Sequence, residues 1–410
     1  LESIRDVIGI LDEEPSVTPE MMRLADWIAD YYVCSLGEVV RAVLPSGSAG
    51  GRADMATKVE KHVRFTPAYR HAQASEELKQ KLRGGKQMAV VECLSGLRAE
   101  GNAEPRQSDL LARAGATAST IKTLLKHGII EVVEKEVFRS PISGPNRERA
   151  TAHALHPGQE TALARIGMAI DEARFHTFLL HGVTGSGKTE VYINALKQTL
   201  DRGKTGIVLV PEIALTPQTV RRFRAHFGDR IAVFHSRMSQ GERFDAWRAL
   251  REGSHDVVIG PRSAILLPLS NIGLIVVDEE HEQSYKQQDP APRYHARDVA
   301  VMRALMNDAV CVLGSATPSL ESYQNAHGGK YTLLEMRERV PVNGGDPASL
   351  PDVRIIDLRV EGKRREGSIS RLLEGAITAR LERGEQVILL QNRRGYVPLI
   401  ECTNCGWAPQ

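Results

Sequence analysis

His181-Gly182-Val183-Thr184-Gly185-Ser186-Gly187-Lys188-Thr189 decides the fold. Gly182, Gly187, Lys188 and Thr189 satisfy the G-x-x-x-x-G-K-[ST] phosphate-loop pattern. Thr177 to Leu180 before it reads as a short buried strand, and Glu190 to Leu200 after it as a helix. Small residues let successive backbone N–H groups close around phosphate oxygens, and the following helix adds its positive N-terminal end. The loop residues Gly182, Val183, Thr184, Gly185, Ser186, Gly187, Lys188 and Thr189, with Glu190 behind them, are therefore expected to bind nucleoside triphosphate. Lys188 should reach the β- and γ-phosphates, and the Thr189 hydroxyl should hold Mg²⁺.

Working outward, short apolar runs recur at Gly206–Val210, Ile231–Phe234, Asp256–Ile259, Leu274–Val277 and Ala309–Leu313, with helical stretches between most of them. Apolar strands alternating with helices imply an α/β fold, a parallel sheet covered on both faces. Ligands of such sheets sit at the carboxyl ends of the strands. The run Leu274-Ile275-Val276-Val277 delivers Asp278, Glu279, Glu280 and His281 there. Asp278 is placed to hold Mg²⁺, and Glu279 to activate an attacking water.

The 410 residues exceed one ordinary domain. A hydrophobic share of 42% and a charged share of 25% describe a soluble globular chain. A net charge of +2 means that any nucleic-acid contact must come from local patches. No apolar run is long enough to span a bilayer, and no signal peptide is visible, so no membrane partner is expected. Five scattered cysteines suit a reducing, cytoplasmic setting, not a disulfide scaffold. Both ends read as cut, the first at Leu1 and the second just after Cys402-Thr403-Asn404-Cys405.

Five segments are expected. Residues 1–48 carry an apolar stripe through Met21, Leu24, Ala25, Trp27 and Ile28. Residues 49–140 show helix, turn, helix and β-wing in winged-helix order, the second helix bearing only Lys122 and Lys126. Residues 141–156 form a linker, 157–335 the nucleotide-binding lobe, and 336–410 the start of a second lobe. There Glu374–Glu382 reads as a helix and Gln386–Leu390 as a buried strand. Cys402 and Cys405 have the spacing of half a zinc site, which needs four ligands in all.

Three further strand ends carry Val210-Pro211-Glu212-Ile213-Ala214-Leu215-Thr216, Ile259-Gly260-Pro261-Arg262-Ser263 and Gly314-Ser315-Ala316-Thr317-Pro318-Ser319. This ordered set resembles superfamily 2 helicases. Together with Asp278-Glu279-Glu280-His281 and Asn392-Arg393-Arg394-Gly395-Tyr396, it resembles the PriA family of bacterial replication-restart helicases across nearly the whole chain.

The resemblance implies a RecA-like lobe, ATP and Mg²⁺ as cofactors, and 3′-to-5′ unwinding of forked DNA that starts primosome reassembly. It implies that residues 1–48 are the tail of a DNA-binding domain. Gln159 would read the adenine, and Thr216, Gln218, Arg262 and Ser263 would face the DNA backbone. Ser315 and Thr317 would couple nucleotide state to DNA. Residues 282–298 would form an aromatic-rich loop in which Tyr285 and Tyr294 stack bases, aided by Lys286 and Arg293. Asp289-Pro290-Ala291-Pro292 departs from that family's pattern and reduces the stacking surface. Further Cys-x-x-Cys pairs would complete two zinc sites with Cys402 and Cys405. The implied partners are forked and single-stranded DNA, primosome proteins and single-stranded DNA-binding protein, for a nucleoid-associated monomer.

Two other readings compete: a superfamily 2 motor that tracks duplex without unwinding, and a DNA-binding assembly platform with little ATPase activity. Without a second-lobe arginine at the γ-phosphate, this chain is expected to hydrolyse ATP poorly.

Overall fold

The computed structural model describes residues 15–45, 59–69, 82, 84–136, 154–341, 352–357 and 369–390. The chain divides into two compact units, Leu1–Ala348 and Ser349–Gln410.

The centre of the first unit is a seven-stranded, wholly parallel sheet. Its strands are β3 (His176–Gly182), β4 (Thr205–Leu209), β5 (Ile231–Val233), β6 (Val257–Gly260), β7 (Ile272–Asp278), β8 (Val310–Ser315) and β9 (Thr332–Met336). They lie in the order β5-β6-β4-β7-β8-β3-β9, which seats β3 and β7 on either side of β8. Six of the seven match the expected apolar runs. β9, an edge strand beside β3, was not foreseen, because Leu333 and Leu334 alone do not distinguish strand from helix.

Successive side chains of one strand point to opposite faces. Phe178 and Leu180 join one core and Leu179 the other; Leu274 and Val276 part from Ile275 and Val277 in the same way. The first core is covered by α6 (Pro157–Asp171), α7 (Lys188–Asp201) and α8 (Pro217–Phe227). The second is covered by α9 (Gln240–Arg251) and α10 (Ala296–Met306), and by two helices from the far end of the chain.

Those two are α1 (Pro19–Tyr31) and α2 (Leu36–Val43). Thr18 caps α1 by accepting from the Met21 amide, with Pro19 at the first position, where its missing N–H costs nothing. Ser35 and Glu38 form a reciprocal capping box on α2. Met21, Leu24, Ala25 and Ile28 of the α1 stripe are buried, but in the lobe's own core, where with Val39 and Val43 they pack with Trp247, Val299 and Ala300, while Trp27 is half-buried at its edge. Polar clasps fix the docking. Trp247 Nε1 donates to the Val43 carbonyl at 3.3 Å. The Arg303 side chain, fully buried on α10, holds the Glu20 carboxylate at 3.0 and 3.1 Å, and donates to the carbonyls of Ile265, Leu267 and Leu269. A buried guanidinium is tolerated when its donors are satisfied in this way.

Residues 59–136 build their own core. β1 (Val59–Phe65) pairs antiparallel with β2 (Ile130–Glu136) beside α3 (Gly85–Ala99), α4 (Gln107–Ala114) and α5 (Ala118–Lys126). Gly115 closes α4 in the left-handed conformation, making the tight turn into α5.

The first unit also carries α11 (Leu320–His327), and the second unit carries α12 (Arg371–Glu382), capped by Ser370. Residues 386–390 are not a buried strand: no strand is assigned to them, and Ile388 and Leu390 are 96% and 93% exposed. A strand gains stability from a paired neighbour, and none lies beside this segment among the described residues. Residues 141–153, 392–396, Cys402 and Cys405 lie outside the described residues.

Candidate nucleotide and nucleic-acid site

The phosphate loop leaves the carboxyl end of β3 and enters α7. Gly185 (φ +86°) and Gly187 (φ +79°) lie in the left-handed region, which glycine adopts without strain. Space also dictates Gly187, since a Cβ there would collide with the Gln159 amide. Ser186 N donates to the Val183 carbonyl at 3.0 Å, leaving Thr184 and Gly185 as the exposed tip. Buried Lys188 folds back, its Nζ donating to the Gly182 carbonyl at 2.9 Å. Gln159, near the start of α6, is buried and donates to the carbonyls of Ser186 and Gly187 at 3.2 and 3.3 Å.

The carboxylates arrive from β7, two strands away. Glu279 has φ +47°, uncommon for a residue with a side chain and a form of strain that gathers at functional sites. Its carboxylate lies 3.8 Å from Lys188 Nζ and 3.6 Å from His281 Nδ1. Asp278 accepts from the hydroxyl of Tyr192, a fully buried residue of α7, at 3.0 Å. Burial, followed by the charge of Glu279, pushes the Asp278 carboxyl up to about 6. The Tyr192 phenol is pushed well above its ordinary value by burial and by Asp278. Asp278 and Thr189 line one cavity of about 260 Å³ with Gln218, Thr219 and Arg222. A hydroxyl and a carboxylate facing shared space, next to an amide-lined loop, fit Mg²⁺ held jointly with phosphate oxygens and water. Among the described residues no cluster of three or more His, Cys, Asp or Glu could hold a metal by itself.

Two expected assignments change. Glu190 does not join the phosphate cradle: its carboxylate is taken by Arg222 at 2.9 Å and by Asn194. Burial would raise its pKa, but these partners hold it below the ordinary value, so it remains an anion that would repel phosphate. Gln218 lines the cavity of Thr189 and Asp278, on the nucleotide side.

The strand-end polar groups meet in a second cleft of about 290 Å³, lined by Glu212, His235, Arg262, Ser263 and Ser284 among others. Thr216 is exposed at the N-cap of α8, accepting from the Thr219 amide. Arg262 Nη1 donates to the carbonyls of Ser284 and Lys286 at 3.3 and 3.1 Å, tying its strand end to the 282–298 loop.

That loop is built differently from expectation. Tyr285 and Tyr294 are each 1% exposed, so neither ring offers a face to a base. The Tyr285 hydroxyl instead donates to the Asp278 carbonyl at 2.6 Å. The aromatic character packs the loop inward, while its cations remain accessible. Arg293 is exposed, with its Nε on the Gln288 carbonyl at 2.8 Å; Lys286 is half-buried and lies over the Tyr32 ring, 5.1 Å from its centroid.

Ser315 ends β8 in full burial. Its Oγ lies 2.7 Å from His281 Nδ1 and accepts from the Thr317 amide at 2.9 Å. His281 thus touches both the Glu279 carboxylate and the Ser315–Thr317 segment, a bridging place that its position in the acidic motif only hinted at. Glu280, fully buried, accepts from the Ser319 amide and from the hydroxyls of Ser319 and Ser322, pinning α11 to β7. Tyr192 was also missed, because a helical tyrosine three residues past the loop reads as ordinary core.

A DEAD/DEAH box helicase model matches residues 156–326. A 3′ DNA-binding domain model matches 1–45, and a winged-helix model of PriA helicase matches 60–137. Replication restart protein PriA of Chlamydia pneumoniae is 38% identical over 98% of this chain, and that of Bacillus subtilis is 34% identical over all of this chain. The chain is similar to PriA proteins along nearly its whole length. It spans about half the length of these relatives, 52% and 57% respectively. No helix among the described residues is long and apolar enough to cross a membrane.

Proposed function

We propose that this chain carries the ATP-hydrolysing lobe of a DNA helicase that unwinds forked DNA 3′ to 5′ and starts primosome reassembly. The observation that supports this most is the convergence of Lys188, Thr189, Asp278 and Glu279 at the carboxyl ends of β3 and β7, the two strands that flank β8, with Tyr285 tying the 282–298 loop to Asp278.

The loop amides and Lys188 bind the triphosphate, Lys188 exchanging the Gly182 carbonyl for phosphate oxygens. Thr189 Oγ1 and Asp278 hold Mg²⁺, which when bound neutralises charge on the β- and γ-phosphates. Glu279 orients a water in line with the γ-phosphorus and takes its proton as the new P–O bond forms and the bond to ADP breaks. Gln159, whose amide holds the carbonyls of Ser186 and Gly187 and accepts from the His156 amide, is proposed to read adenine by exchanging these contacts. Burial of Asp278 and Lys188 makes each charge contact stronger than it would be in open water.

DNA is held by its backbone at Thr216, Arg262, Ser263, Lys286 and Arg293. Its arrival at the loop is relayed through Tyr285 to Asp278, and through Ser315, Thr317 and His281 to Glu279. Cys402 and Cys405 have the spacing that would supply two of the four ligands of a zinc site. Primosome proteins and single-stranded DNA-binding protein are the proposed partners, in a cytoplasmic, nucleoid-associated setting.

The test is ATP turnover with and without forked and single-stranded DNA. Lys188→Ala and Glu279→Gln should each abolish turnover, the first by loss of binding, the second with binding kept. DNA binding without any ATP turnover sensitive to these changes would instead favour an assembly platform.

A further inference from the structure

After β9 the chain does not leave the nucleotide site; residues Met336 to Val340 run along the phosphate loop as a strap. Val183 N donates to the Met336 carbonyl at 3.1 Å, and Val340 N donates to the Gly185 carbonyl at 2.9 Å. The strap approaches three glycines of the loop: a Cβ added at Gly182 would lie 3.2 Å from Met336, at Gly185 3.6 Å from Arg339, and at Gly187 3.3 Å from Val340.

Two polar groups at this junction have no hydrogen-bond partner among the described residues. One is the Oγ of Ser186, a residue only 2% exposed within the loop. The other is the Nε of Arg339, on a half-buried side chain whose aliphatic stem passes Gly185. Buried donors are rarely left unsatisfied. An orphaned guanidinium nitrogen beside an anion-binding loop has a natural partner in the anion itself, and guanidinium is well suited to phosphate.

We propose that Arg339 is a further nucleotide-contacting residue, giving the bound nucleotide a second cationic contact besides Lys188, from a segment outside every helicase motif in the sequence. This rests on the phosphate loop binding a nucleoside triphosphate.

The experiment titrates this chain with fluorescent N-methylanthraniloyl ATP and ADP in the presence of Mg²⁺, at several salt concentrations. Arg339→Ala and Arg339→Gln should weaken binding about ten- to a hundredfold, the span expected when a charge-assisted hydrogen bond is lost. Both should flatten the salt dependence, and Arg339→Lys should restore part of each. Equal loss for the two nucleotides puts the contact on the part they share, and loss confined to the ATP analogue puts it on the γ-phosphate; either supports the assignment. Unchanged binding by both charge-removing variants overturns it. If the unaltered chain binds neither nucleotide, or Lys188→Ala binds as well as the unaltered chain, the phosphate-loop reading has failed and this proposal falls with it.

Discussion

Asp278→Asn should stabilise the nucleotide-free chain while disabling it. The Asp278 carboxyl is pushed up to about 6 by burial and by the adjacent Glu279, against about 3.9 in an unfolded chain. Two units at 1.36 kcal/mol each bound the cost of holding this charge at about 3 kcal/mol. The side chain borders a cavity of about 260 Å³ that can admit water, so we expect a recoverable gain of about 1–2 kcal/mol. Asparagine keeps an oxygen for the Tyr192 hydroxyl, now at 3.0 Å, and removes only the charge. For a lobe of this size that is a rise in melting temperature of roughly 3–8 °C at pH 7.5. The sign follows from linkage. A carboxyl whose folded pKa is raised penalises the fold fully above about 6, and the penalty vanishes as pH falls toward 4. The gain from Asp278→Asn should vanish over the same window. Mg²⁺–ATP at a hundred times its dissociation constant should add about 2.7 kcal/mol to the unaltered chain and much less to the variant. Differential scanning fluorimetry from pH 4.5 to 8 reads both effects. A variant that melts at or below the unaltered chain at pH 7.5 without nucleotide would refute the reasoning.

Glu279→Gln should lower ATP turnover by about a hundredfold or more while nucleotide affinity stays within a few-fold, measured by steady-state kinetics beside equilibrium titration. Tyr285→Phe deletes the hydroxyl bonded to the Asp278 carbonyl at 2.6 Å; DNA stimulation of turnover should fall several-fold, with the DNA-free rate less affected. Glu20→Ala strips Arg303 of its carboxylate, and leaving a buried cation unpaired should cost about 2–4 kcal/mol by denaturant unfolding. Arg262→Ala should weaken single-stranded DNA binding and lower the salt slope by about 0.7 if one phosphate contact is lost.

The parts legible in sequence were those written in local pattern. Leu274 to Val277, a short run rich in β-branched residues, reads as a strand buried on both faces, and the acids after it emerge at its carboxyl end. The Gly-Lys-Thr spacing likewise names its own chemistry. What stayed hidden depends on partners distant in the chain. The stripe of α1 announced that it would be buried, but not that its bed was α10, some 280 residues away. Tyr285 and Tyr294, flanked by lysine and arginine, have the composition of a base-stacking loop. Burial turned them inward, and only the cations kept the outward role. Glu190 follows the phosphate loop directly, yet Arg222, a whole strand and helix later, claims its carboxylate. Residues 386–390 carry the apolar pattern of a core strand, but pattern alone cannot supply a neighbour.

The lodging of α1 and α2 in the lobe's core bears on how this chain can be divided. Six apolar side chains of these helices are buried there, worth on the order of 10 kcal/mol of transfer free energy as an upper figure. That is as large as the whole stability of a typical domain. A polypeptide begun at His156, where the helicase motifs start, would present the bare flank of α10 and the unanswered Arg303 guanidinium to water. It should aggregate during expression, whereas supplying residues 15–45 as a separate peptide should rescue it. Primary structure places these helices some 280 residues from α10, but in folding they belong to the same lobe.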